Sequence, residues 1–153
     1  MLEIPIVERT PAHAEYVEGI ILGIESTAHT FSFGCVSTAG TLFPSMSSLF
    51  RPDEGGIHPR EAADHHSAST SILLEKLSST DEFDWGSVIA VAFSQGPGLG
   101  PCLRVGASVA RTLSSRLQVP LIGVNHCVAH IEVGRNQTGC DDPVLLLSLI
   151  HIS

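Results

Sequence analysis

Apolar and polar positions along the chain fall into short runs whose period switches between two and about four, the mark of strands alternating with helices. Gly19-Ile20-Ile21-Leu22-Gly23-Ile24 is rich in β-branched residues and predicts a first core strand. A polar turn, Glu25-Ser26-Thr27-Ala28-His29-Thr30, separates it from Phe31-Ser32-Phe33-Gly34-Cys35-Val36, whose strict alternation predicts a second strand. Ala39-Gly40 supplies a turn into a third strand near residues 41–50, where Pro44 argues for a sheet edge. Past a polar loop, Pro59 opens a helix at a position where its missing amide costs nothing, and Glu61 and Asp64 suit the positive end of the helix dipole. Ala62, Ile72, Leu73, Leu74 and Leu77 form its inward stripe, and the helix should end near Ser78-Ser79.

The second half repeats a strand-helix rhythm. Ser87-Val88-Ile89-Ala90-Val91-Ala92-Phe93 is a continuous apolar run of the kind found in buried parallel strands. It leads through a glycine-rich loop into a helix carrying Leu103, Gly106, Val109, Ala110, Leu113 and Leu117, in which Gly106 and Ala110 allow close approach to the sheet. Pro120 to Val124 predicts another buried strand, a further helix follows from Asn125, and residues 143–150 read as a last strand. The order βββαβαβα predicts an α/β fold, the ribonuclease-H-like lobe, and the final run resembles the opening strand of something absent. The expected division is a loosely ordered extension over 1–18, the lobe over 19–146, and a divergent tail over 147–153.

Composition narrows the functional classes. With 153 residues, 43% of them hydrophobic, the chain can bury one sizeable core. No apolar run approaches the roughly 20 residues of a membrane span, and the start lacks the pattern of a secretory signal, so a soluble intracellular protein is expected. Cys35, Cys102, Cys127 and Cys140 show no Cys-x-x-Cys spacing and read as reduced thiols. A net charge of -8 with only 8 Lys+Arg argues against this chain gripping a nucleic-acid backbone unaided.

Three stretches carry chemistry. His126 and His130 are four apart on the expected helix, so they project from one face a turn apart. From spacing alone the pair is either two metal ligands or two ordinary helix histidines. Cys127 stands where a zincin places its catalytic glutamate, which disfavours a peptidase. The loop Ser94-Gln95-Gly96-Pro97-Gly98-Leu99-Gly100-Pro101 is neither a dinucleotide fingerprint nor a P-loop, yet its glycines admit a ligand and its prolines stiffen it. The hydroxyl-rich turn after the first strand, with Glu25, Ser26 and Thr27, is placed like the phosphate hairpin of actin-like ATPases, though an ordinary hairpin turn would look the same. Arg60, at a helix start beside glycines, is suited to fork onto a carboxylate or phosphate. His65 and His66 are adjacent on that helix, so the expectation is one histidine lining a cleft or core and one solvated.

Four stretches in order resemble the TsaD/OSGEP family of tRNA threonylcarbamoyladenosine synthases, in wording closest to its archaeal and eukaryotic branch. They are Leu22-Gly23-Ile24-Glu25-Ser26-Thr27-Ala28, the block from Gly56 to His66, Ser94 to Arg104, and Asn125-His126-Cys127-Val128-Ala129-His130-Ile131-Glu132. The resemblance implies an actin-like ATPase fold of two lobes, with His126 and His130 sharing one divalent metal ion, iron or zinc, with a ligand from the second lobe. It implies transfer of threonylcarbamoyl from its ATP-derived adenylate to adenosine 37 of tRNAs reading ANN codons, with Glu25, Ser26, Thr27, Arg60, Gly98 and Asn125 near the substrate. It also implies work inside a multi-subunit, KEOPS-type complex with a small atypical protein kinase and small accessory subunits. Leu147 to Ser153 departs from the family, whose next motif carries a tyrosine and paired glycines, so the expected product is the first lobe alone, inactive in isolation. A non-catalytic scaffold lobe is the alternative, and a metallopeptidase, the family's older label, is disfavoured.

Overall fold

A computed structural model describes residues 18–52 and 54–144. It shows strands β1 (Ile20–Glu25), β2 (Thr30–Ser37), β3 (Met46–Leu49), β4 (Val88–Gly96) and β5 (Leu121–Asn125), with helices α1 (Pro59–Ser78), α2 (Gly100–Leu117) and α3 (His126–Thr138). The five strands form one sheet in the order β3-β2-β1-β4-β5, with β1, β4 and β5 mutually parallel and β2 antiparallel to both neighbours. The expected α/β lobe is therefore present through its third helix. The expected last strand and the N-terminal extension lie almost wholly outside the described residues, as does the divergent tail.

Period-two alternation explains the core. Ile20, Leu22 and Ile24 of β1 and Phe31, Phe33 and Cys35 of β2 turn to one sheet face, where register pairs Leu22 with Cys35 and Ile24 with Phe33. Helices α1 and α2 pack side by side over that face, burying Leu73, Leu74, Leu77, Ala110, Leu113 and Leu117 against it. Cross-strand apolar pairs and a shared helix layer remove this surface from water, the main favourable term in forming the lobe.

Four expectations are corrected. The third strand is shorter than 41–50: only Met46–Leu49 pairs fully with β2, while Leu42 makes an isolated bridge to Val36, and Pro44 falls between the two. Proline cannot donate to a ladder, so the strand resumes beyond it, at the sheet edge as expected. Ile72 is 55% exposed rather than in the α1 stripe, whose buried positions Ala62, His66, Ser69, Leu73 and Leu77 instead advance by three and four. Ser87 belongs to a short 3-10 turn from Trp85, and β4 runs on to Gly96. The strand after Pro120 is not buried: β5 is the outer strand at the opposite edge, and Leu121 and Ile122 are exposed. No helix among the described residues is long and apolar enough to cross a membrane.

Candidate metal and substrate site

Parallel β1, β4 and β5 bring their carboxyl ends to one edge of the sheet, the place where open α/β sheets bind ligands. Glu25 is the last residue of β1, Ser94 lies near the end of β4, and His126 follows β5 directly. Register matches Gly23 with Ala92 and Ile24 with Phe93, which sets Glu25 beside Ser94 on the face turned away from α1 and α2.

Glu25 is the hub. Its Oε1 accepts from the Thr27 amide at 2.7 Å and from the Thr27 hydroxyl, and its Oε2 accepts from the Ser94 hydroxyl and stands 3.2 Å from His126 Nδ1. Burial alone would raise the Glu25 pKa, but the Ser94 and Thr27 hydrogen bonds and the field of His126 outweigh it and hold the carboxyl below its usual value. The residue is therefore an anion, and an anion at Nδ1 selects the tautomer that donates there and leaves Nε2 free with its lone pair.

His126 is buried and His130 exposed, their rings edge to face with centroids 4.6 Å apart. Asn125 fixes the helix that carries both: its side-chain oxygen accepts from the amides of Cys127 at 2.9 Å and Val128 at 3.3 Å. Two imidazoles on one face, one oriented by a carboxylate, fit as part of the donor set for iron or zinc. Among the described residues no group of three His, Cys, Asp or Glu side chains converges tightly enough to hold an ion, so an ion at this pair would need further donors.

The turn after β1 is locked from several sides. The Leu99 amide donates to the Thr27 carbonyl at 2.7 Å, and a Cβ added at Gly98 would meet that carbonyl oxygen at 2.5 Å. Ser26 is buried against Gly106 of α2, and its Oγ has no hydrogen-bond partner among the described residues. The structure thus gathers Glu25, Ser26, Thr27, Gly98, Asn125, His126 and His130 around one sheet edge. Arg60 stands apart and is exposed, in a groove of about 620 Å³ between α1 and α2 that also takes in Asp64 and Arg104.

Ser94 and His66 also contribute. Ser94, expected in a loop, lies in β4, and period two from Ala92 places it on the face of Glu25. His66 is fully buried, stacked on Phe31 with its Nε2 2.9 Å from the Ala28 carbonyl, and its Nδ1 lies 3.4 Å from that of a half-buried His65. One of the pair lies in the core as expected, and it is His66 because it occupies a stripe position three before Ser69 and four after Ala62; His65 is half-buried rather than fully solvated.

Comparison with known proteins gives the same direction. Residues 45–149 match the family model described as TsaD, tRNA N6-adenosine threonylcarbamoyltransferase. Proteins of that name from Archaeoglobus fulgidus and Pyrobaculum calidifontis are 52% and 51% identical over 83% and 86% of this chain. A probable bifunctional tRNA threonylcarbamoyladenosine biosynthesis protein of Methanospirillum hungatei is 51% identical over 84% of it. The chain spans only 38%, 39% and 24% of those relatives' lengths. Among solved structures, a Pseudomonas aeruginosa protein described as similar to the peptidase YeaZ aligns with a TM-score of 0.60 at 18% identity, covering 79% of this chain and 50% of its own, a likeness of fold.

Proposed function

Because the chain belongs to the TsaD family of tRNA N6-adenosine threonylcarbamoyltransferases, we propose that it forms the metal-bearing half of a site that threonylcarbamoylates tRNA. The observation that supports this most directly is the convergence of Glu25, His126 and His130 where β1 and β5 end. His126 and His130 would hold one iron or zinc ion. Bound there, such an ion supplies Lewis-acid polarisation of an acyl oxygen.

The chain's own residues do the rest. Glu25 orients His126 from its Nδ1 side, Thr27 and Ser94 hold the Glu25 carboxylate still, and Asn125 caps the helix that carries the imidazoles. The Ser26–Ala28 turn and Gly98 form the floor on which the phosphate of a threonylcarbamoyl-adenylate would rest. In the transfer, N6 of adenosine 37 forms a bond to the carbamoyl carbon as the bond from that carbon to the AMP oxygen breaks. AMP departs with the electron pair, and the amine releases a proton. An acidic chain with so few cations would need partners to hold tRNA, and a complex with a small atypical kinase and accessory subunits, in the cytoplasm or nucleus, fits that need.

A chimera tests the reading: residues 19–144 replace the equivalent lobe of the Archaeoglobus fulgidus relative. It should convert tRNA adenosine to threonylcarbamoyladenosine, and His126→Ala or His130→Ala within it should abolish conversion. A folded chimera that loads metal yet transfers nothing would leave a scaffold lobe as the better description.

A further inference from the structure

The turn after β1 is held by three successive carbonyls, each bonded to a different part of the lobe. Thr27 O accepts from the Leu99 amide at 2.7 Å, Ala28 O lies 2.9 Å from His66 Nε2, and His29 O accepts from the Phe50 amide at 2.7 Å. Two of these donors are backbone groups. Only the middle one is a side chain, and it is a titratable one.

A carbonyl can only accept, so His66 Nε2 must carry a proton. Its Nδ1 then accepts in the neutral ring, and the nearby His65 Nδ1 must be the donor. That leaves His65 Nε2 to accept from the Ser48 hydroxyl at 3.0 Å, and Ser48 in turn accepts from Ser69 at 3.2 Å. One direction of donation therefore runs from Ser69 through Ser48, His65 and His66 to Ala28. It connects the α1–β3 contact to the substrate turn with every tautomer assigned.

We propose that His66, neutral and fed by this chain, is a positioning residue that sets the turn's backbone for a phosphate-bearing ligand. The peptide from Ala28 to His29 is trans, so its N–H points opposite to its C=O. Drawing the Ala28 carbonyl toward α1 turns the His29 amide away from α1, and the Leu99 bond does the same for the Ala28 amide relative to the Gly98–Leu99 loop. Each bond thereby fixes the amide that shares its peptide plane, and successive backbone amides held in this way are the elements of an anion-binding concavity. Protonating His66 would set two N–H groups against each other at the His65 contact and break the direction of the chain. The other titratable groups that act on His66 are His29 and Glu25, of opposite charge when ionised. Burial comes first among the influences on His66 and keeps its pKa below the usual histidine value.

This inference rests on the proposed reading that the turn meets a nucleotide phosphate, and two measurements on the full 153-residue chain keep the two separable. Histidine nitrogen NMR at neutral pH should show His66 as the Nε2–H tautomer and His65 as the Nδ1–H tautomer. The reverse tautomer at His66 overturns the proposal. For ligand binding, ATP is the probe. His66→Gln, whose amide can still donate to Ala28, should keep the wild-type Kd within about threefold, whereas His66→Leu should weaken it about tenfold. Equal affinity in both variants overturns the positioning role. If ATP fails to bind both wild type and the chimera that restores the second lobe, the phosphate reading falls. The positioning role is then decided by the Ala28 and His29 amide resonances, which must move in His66→Leu and return in His66→Gln.

Discussion

Glu25 and His126 stand 101 residues apart in sequence, and their side chains meet at 3.2 Å, carboxylate Oε2 to imidazole Nδ1. The contact ties the end of the first strand to the start of the last described helix, so the state of the turn after β1 is felt at the histidine pair.

Removing that contact should cost metal affinity while leaving the fold intact. Carboxylates behind a ligating imidazole are typically worth about 10- to 100-fold in affinity. Titration of the chain with Co²⁺, followed by its visible absorption, is expected to give Glu25→Ala a Kd weaker by about tenfold or more. His130→Ala should weaken binding further. Unchanged Co²⁺ affinity in Glu25→Ala would show that the carboxylate does not orient the ring.

His66 makes the lobe sensitive to mild acid. Burial, aided by the fields of His65 and His29 and opposed by the bond to the Ala28 carbonyl and the field of Glu25, places its folded pKa below the ordinary value of 6.5. Between those two values the unfolded chain binds more protons than the folded one, so stability rises with pH there. The contribution is complete above the unfolded value of 6.5 and is lost as pH falls below it toward the folded value. Urea midpoints measured at pH 7.5 and 5.5 should therefore fall more for wild type than for His66→Gln. Parallel shifts in the two proteins would assign the acid sensitivity to other groups.

Period and punctuation made most of this lobe legible. Pro59 at a helix start, the alternation of β2 and the apolar run of β4 each depend on neighbours within a few residues, and local sequence carries that information. The histidine pair was legible for the same reason, since i and i+4 on one helix is a local relation. What was not legible depended on register between distant strands. Ser94 reaches Glu25 only because β4 lies beside β1 at a particular offset, and exposed Leu121 and Ile122 show that an apolar run does not by itself reveal whether a strand is central or at an edge. That one histidine of the His65–His66 pair lines the core was legible, and which one follows from spacing: His66 stands in step with Ala62, Ser69 and Leu73.

Asn125 links β5 to α3, and its cap should be worth measuring. Two amides at the helix start are satisfied by one side-chain oxygen, and losing an N-cap of this kind costs about 1 kcal/mol. Asn125→Ala should lower stability by about that amount, whereas Asn125→Asp, which also accepts, should stay within a few tenths of a kcal/mol of wild type. A chemical-denaturation series resolves the difference. Equal loss in both variants would mean that the side-chain amide nitrogen, rather than the oxygen, matters here.

Two helical glycines should respond oppositely to the same substitution. A Cβ at Gly106 would overlap Ser26 Oγ and lie 2.8 Å from Ser26 Cβ, so the turn after β1 or helix α2 must shift. Overpacking of this kind costs about 1–3 kcal/mol. Gly134 in α3 has nothing within 4 Å of the same added atom, and there alanine should stabilise the helix by about 0.5–1 kcal/mol because glycine carries the larger entropy cost. Melting temperatures of Gly106→Ala and Gly134→Ala should thus move in opposite directions. Ser26→Gly removes both clashing atoms, together with a buried hydroxyl that has no partner among the described residues. In the Ser26→Gly, Gly106→Ala double variant, part of the loss should return. Simple additivity of the two single changes would place the strain of Gly106→Ala elsewhere than at Ser26, and the close approach of α2 to the turn would lose its role in fixing the site.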